Sequence, residues 1–294
     1  MKKLTILLTS LLILSGCGKN ASANISFAND ELLTVGNTKI TKGEIYQTLK
    51  NSGSSFYIIE EATDYFIEKE ITNNDALMEK ALGELENIKK LYGDNFSSII
   101  SSYGYASEEE FVKNTILQQL QVQELNNVYL NENLQTYLDS YLPKKAQIMT
   151  FDNLDTAQNA YVALTEGKDF KEIASQMNSS SNPDELIYTS KSLLASPIKF
   201  YLDKAETVGL SEVLIDAENT KYYLVNITSV DPTTYKDEFI ESIAHDQEVV
   251  QSALSYYFKK YNFTLYDIDI YQQFKESYPT YLNQKEINNK KVNQ

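Results

Sequence analysis

Tryptophan is absent from this 294-residue chain, and histidine and cysteine occur once each, as His245 and Cys17. That scarcity excludes His-rich or Cys-rich metal sites within one chain, and catalytic Ser/His or Cys/His pairs that need a second imidazole. Basic residues are also few. Against 41 Asp and Glu stand 26 Lys and Arg, giving a formal net charge of −15. Such a surface repels phosphate backbones and anionic lipid headgroups, so nucleic acid is not an expected partner. What is abundant is apolar: 42% of residues, including 22 Tyr and 12 Phe, enough to fill the core of one large domain or two modest ones.

Residues 1–17 read as an export signal. Lys2 and Lys3 form a positive start, and residues 4–14 form an apolar run too short for a comfortable transmembrane helix. The "LSGC" that follows resembles the bacterial lipobox, in which the cysteine, here Cys17, is lipidated and becomes the first mature residue. Lipidation accounts for an unpaired thiol in an exported protein and implies a chain anchored to the membrane rather than spanning it. The small, polar residues 18–30 read as a flexible tether.

The alternation of Leu33, Val35 and Ile40 around Gly36 and Asn37 predicts a short hairpin, with Thr41 and Glu44 capping a helix after it. Helical patterning then dominates. Leu77, Met78, Ala81, Leu82, Leu85, Ile88 and Leu91 share one stripe that stops at Gly93. Ser107 with Glu110 forms a capping box for a long helix toward Pro143, weakest at residues 131–133.

The pattern changes after Pro143. "AQIMTF" and "YYLVNI" are strand-like and bracket helical stretches capped by Asp155 with Gln158 and by Asp169 with Glu172, a further strand "ELIYTS", and a region of mixed pattern. This order suits a compact α+β domain of under a hundred residues. A capped helix from Thr234 and Asp237 follows, with His245 on its surface; "FTLYDIDIYQQF" alternates like a strand, and the Lys- and Asn-rich residues 283–294 read as disordered. Tyr256, Tyr257, Phe258, Tyr261 and Phe263 either line a cradle for unfolded clients or belong to core and boundary.

The run "TAQNAYVALTEGKDFKEIASQMNSSS", the strand before it and "VLIDAENTKYYLVNITSV" after it are similar to the parvulin class of peptidyl-prolyl isomerase. With the lipobox, the "VGNTKITKGEIYQTLKN" start and the helical flanks, nearly the whole chain resembles the PrsA-type extracytoplasmic foldase lipoproteins of Gram-positive bacteria. The resemblance implies a mostly helical α+β fold: a discontinuous chaperone-like helical domain, residues 31–143 and 231–282, with a parvulin-like domain, residues 144–230, inserted in it. It further implies a lipid-anchored protein on the extracytoplasmic face of the cell membrane. Such a protein assists the folding of secreted chains, takes no cofactor, and often pairs with a second copy through its helical domain.

Tested position by position, the family pattern departs at its site. Gln147 stands where the first strand normally carries a histidine and Tyr223 where the last strand carries another; Leu194 and Ile198 match the methionine and phenylalanine that line the proline pocket. The acidic or cysteine position falls among residues 179–181, and "NPDELIY" lacks the glycines of the usual turn. Rotation about the peptide bond faces a barrier of about 18–20 kcal/mol. An isomerase lowers it by favouring the twisted amide, and without the paired imidazoles the expected activity is weak or absent. On the bland reading the four residues are ordinary core. The competing class is a solute-binding lipoprotein of a transporter, which needs repeated strand–helix units flanking a cleft.

Overall fold

The computed structural model describes residues 25–72, 74–177 and 183–287. The signal with Cys17, residues 18–24 of the expected tether, positions 179–181 and the tail beyond 287 lie outside the described residues.

By compactness the chain forms two units, one combining residues up to 68 with those from 254 onward and the other spanning 69–253, the divisions falling inside two helices. In the first unit, β1 (Glu31–Val35) and β2 (Thr38–Thr41) make the predicted hairpin, turning at Gly36 with φ +61°. Thr41 caps α1 (Lys42–Asn51): its hydroxyl accepts from the Glu44 amide, and the Glu44 carboxylate accepts from the Thr41 amide at 2.7 Å. Residues 26–30, expected within the tether, instead fold onto the start of α1. The Lys42 and Gly43 amides donate to the carbonyls of Asp30 and Ala28, and a Cβ at position 43 would stand 2.9 Å from that second oxygen.

α2 (Ser54–Glu70) leads into the second unit, where α3 (Asn74–Tyr92) ends at Gly93 in the left-handed region, as its stripe predicts. α4 (Phe96–Ser102) and α5 (Glu108–Phe111) follow, then a π-helical turn, Val112–Leu117, and α6 (Gln118–Glu132). The expected weak point is a break at Asn133 before α7 (Leu134–Tyr141). Ala81, Leu85, Phe96, Ile100, Val112, Ile116 and Leu120 form the core of this helical part.

β3 (Lys144–Phe151), α8 (Leu154–Thr165), α9 (Phe170–Gln176), β4 (Leu186–Tyr188), α10 (Ser196–Lys204), β5 (Gly209–Leu210), β6 (Leu214–Asp216) and β7 (Lys221–Ser229) complete the α+β part. Every strand pairing is antiparallel, in the order β4-β3-β7-β5 with β6 also on β7. α8 and α9 cover one face of this sheet, over Met149, Phe151 and Leu224, and α10 covers the other, over Ala146, Ile148, Val225 and Ile227. Asn153, not Asp155, caps α8, whereas Asp169 caps α9 as predicted. Residues 144–230 share the second unit with helices on both sides because polar bonds close the entry and exit. The Tyr235 hydroxyl donates to the Pro143 carbonyl at 2.9 Å, the Ser190 amide to Tyr141 at 2.7 Å, and the Lys145 ammonium stands 2.7 Å from Glu238.

Beyond β7, Asp231 caps a short 3₁₀ turn before α11 (Lys236–Ile243), and a turn at residues 244–246 separates it from α12 (Gln247–Lys260). His245 therefore lies exposed in that turn, not on a continuous helix. The stretch read as strand-like after Asn262 is in fact helical from residue 268: buried Asp267 accepts from the amides of Asp269 and Ile270 and starts α13 (Ile268–Ser277), which buries Tyr271 and Phe274. Residues 283–287 are also ordered, the Gln284 amide group bonding both backbone atoms of Leu265. Tyr257 and Phe258 are fully buried among Phe66, Phe263 and Tyr281, so this aromatic cluster is core rather than cradle.

Within the first unit, Lys50 on α1 is 4% exposed and reaches Asp269 at 2.5 Å and Asp267 at 3.4 Å. Burial pulls its pKa down, but the bond to Asp269 and the two carboxylate charges outweigh that and raise it. Lys50→Met leaves Asp267 buried without its counter-charge and is expected to cost about 3 kcal/mol in urea unfolding followed by circular dichroism. A loss under about 1 kcal/mol, the range of exposed pairs, would show that the triad does not hold α1 to α13.

Candidate functional site

The register of β3 on β7 decides which of the four expected site residues meet. Gln147 pairs with Asn226 and Thr150 with Tyr223. Side chains alternate along a strand, so Gln147 shares a face with Met149 and Leu224, under α8 and α9, while Tyr223 shares the α10 face with Ile148 and Val225. Hydrogen bonds hold Gln147 there: its amide donates to the Pro183 carbonyl at 2.9 Å and accepts from Asn226 at 3.1 Å. Ile198 and Leu194 come together with Tyr223, and Gln147 does not join them. A one-residue offset is enough to turn a strand residue to the opposite face.

On the α10 face, Ile198 and Tyr223 are 3% and 7% exposed, and Leu194 packs half-buried beside them. These three side chains thus pack against one another and against the sheet. The Tyr223 hydroxyl donates to Asp216 at the end of β6, and burial, followed by that carboxylate's charge, pushes the phenol's pKa up. Asp216 is itself buried and its pKa is lowered, chiefly by the side chain and amide of Asn219, which bond its two oxygens at 2.9 and 3.1 Å. Tyr188 and Tyr201, packed against the same core, are also raised by burial. The face offers neutral hydroxyls and one carboxylate already occupied by donors. Among the described residues it supplies no imidazole and no activated nucleophile.

An open apolar groove of about 330 Å³ lies on the outer side of α10, lined by Pro197, Phe200, Tyr201, Lys204, Leu214 and Ile215. The α10 residues recur at i, i+3, i+4 and i+7, so one helix stripe makes one wall and β6 the other. Phe200 and Ile215 remain mostly exposed, and the Lys204 ammonium sits 3.9 Å above the Phe200 ring. Sequence reasoning missed this groove because it concentrated on the family positions, although the spacing in "SPIKFYLDK" carries the signal. Among the described residues no group of three or more His, Cys, Asp or Glu side chains is placed to hold a metal.

The chain is a mostly helical α+β protein whose small antiparallel sheet presents an apolar groove. No protein-family model and no curated relative matches it. It is similar to the solved foldase protein PrsA from Streptococcus pneumoniae str. Canada MDR_19A, at 21% identity over 86% of this chain and 100% of that one, with a TM-score of 0.45. It is also similar to the peptidylprolyl isomerase PrsA from Bacillus cereus, at 19% identity over 85% and 99% of the two chains, TM-score 0.44. For the foldase protein PrsA from Lactococcus lactis the values are 18% identity, 84% and 98%, and 0.39. These are structures of the family that the order of parts in the sequence resembles.

Because Gln147 and Tyr223 face opposite ways, Gln147→His/Tyr223→His is expected to leave isomerisation of a proline-containing peptide no faster than with the unaltered chain. A tenfold gain in the double variant, absent from both single ones, would show that the two side chains converge after all.

Proposed function

We propose that this protein is a chaperone or foldase for exported chains, held on the outer face of the cell membrane by lipid on Cys17, in which residues 144–230 bind clients with little or no isomerase turnover. The observation that carries this reading is the open apolar groove of α10 and β6 beside the packed cluster of Leu194, Ile198 and Tyr223. An apolar groove edged by a lysine suits an apolar side chain of an unfolded segment, and among the described residues the strand β6 next to it pairs only with β7, so backbone can be added along its edge. Exposed Val35, Leu49, Phe56 and Tyr57 in the first unit offer further apolar contact. Pairing of two copies through the helical segments belongs to the same proposal. The solute-binding alternative finds no counterpart in the sheet, which is antiparallel throughout the described residues.

At equimolar amounts the protein is expected to slow light scattering by a denatured exported protein, and Phe200→Ser/Ile215→Ser to weaken that effect severalfold with the fold retained. No slowing by the unaltered chain would overturn the proposal. Anchoring is tested separately: Cys17→Ser is expected to move the protein from the membrane fraction to the soluble one, and an unchanged distribution would rule out lipid on that residue.

A further inference from the structure

The nine residues 27–35 carry four large apolar side chains that the fold leaves in solvent: Phe27 is 74% exposed, and Leu32, Leu33 and Val35 are between 46% and 67% exposed. All five residues of β1 are exposed, so the strand adds nothing to a core, and a two-stranded hairpin alone is only marginally stable in water. Polar bonds hold its base instead. The Lys42 amide donates to the Asp30 carbonyl at 2.9 Å, the Lys42 ammonium donates to the Ser26 carbonyl at 3.1 Å, and Lys39 pairs with Glu31. Phe27 lies within this clamp at φ +60°, a backbone conformation that bulky residues rarely adopt. The strained position keeps an aromatic ring in solvent, and strain of this kind collects where a surface or ligand is met.

We infer that residues 27–35 form a second contact with the bilayer, in which Phe27 and the apolar residues of β1 lie in the layer between headgroups and acyl chains. This contact rests on the lipid on Cys17 proposed above. Eight residue steps separate Cys17 from Ile25, so even a fully extended chain keeps Ile25 within about 28 Å of the lipidated residue. A tether that short turns a weak surface contact into an intramolecular one. The anchor keeps the bilayer, unlike any soluble partner, beside the hairpin at all times. Charge allows the approach: the whole chain carries −15, but residues 25–43 carry two acidic residues, Asp30 and Glu31, and two lysines, Lys39 and Lys42. Headgroups therefore do not repel this stretch as they repel the rest. On the anchored chain Val35 is in lipid, and Leu49, Phe56 and Tyr57 remain for clients.

The test uses the full lipidated chain carrying Asn37→Cys at the exposed hairpin turn, whose thiol is the only free one once lipid occupies Cys17. The thiol is labelled with a polarity-sensitive nitrobenzoxadiazole dye, and the protein is incorporated into phosphatidylcholine vesicles. Dye emission is expected to rise severalfold with a blue shift, and to be quenched by a nitroxide on the lipid acyl chain. The same dye at Glu109→Cys, exposed on α5, is expected to do neither. Adding Phe27→Ser/Leu32→Ser, with circular dichroism unchanged, is expected to weaken both effects at position 37. Equal readings at positions 37 and 109 on vesicles that carry the protein overturn the hairpin contact and leave the anchor standing. A rise that needs no vesicles and grows with protein concentration shows a second copy over the hairpin, and overturns the contact as well. If the chain does not float with the vesicles at all, the anchor reading falls and the hairpin contact falls with it.

Discussion

The antiparallel pairing of β3 with β7 is the constraint on which the functional reading depends. It joins residues 144–151 to 221–229, bringing α8, α9 and α10 onto one sheet across some seventy residues of intervening chain. Its register also fixes which side chains share a face, because strand residues alternate strictly. With Gln147 opposite Asn226, the α10 face receives Ile148, Tyr223 and Val225, and the other face receives Gln147. The same register sets Gln147 and Tyr223 on opposite faces of the sheet. What remains around α10 is a packed apolar core with one tyrosine–aspartate pair, and outside it an apolar groove.

Much of the fold was legible from local chemistry. Thr41 with Glu44, Ser107 with Glu110 and Asp169 all cap the helices they were expected to cap, because an N-cap acts on amides two or three residues away and needs no tertiary partner. Gly93 ends α3 for a similarly local reason. The misreadings occur where distant contacts decide. "LYDIDIY" alternates like a strand, but the Asp267 cap, its ion pair with Lys50 and the burial of Tyr271 and Phe274 make it helix. Ser190 and Tyr235, which tie residues 144–230 to their helical flanks, gave no sequence signal, since each bonds a backbone carbonyl roughly fifty or ninety residues away.

The candidate sites were less legible than the fold. Of the four residues named by matching to a family pattern, Leu194, Ile198 and Tyr223 pack in one cluster, while strand register, which such matching cannot see, puts Gln147 on the other face. Nor does it mark surfaces outside the pattern: the stripe of Phe200, Tyr201 and Lys204 is recognisable only once the wall facing it is in place.

The central claim, binding at the parvulin-like region without turnover, is most directly tested by exchange NMR on a proline-containing peptide mixed with the methyl-labelled protein. The account predicts that the methyl resonances of Leu214 and Ile215 shift as peptide is added, while cis–trans exchange cross-peaks of the peptide stay at their uncatalysed intensity. Strong exchange cross-peaks at substoichiometric protein would contradict it.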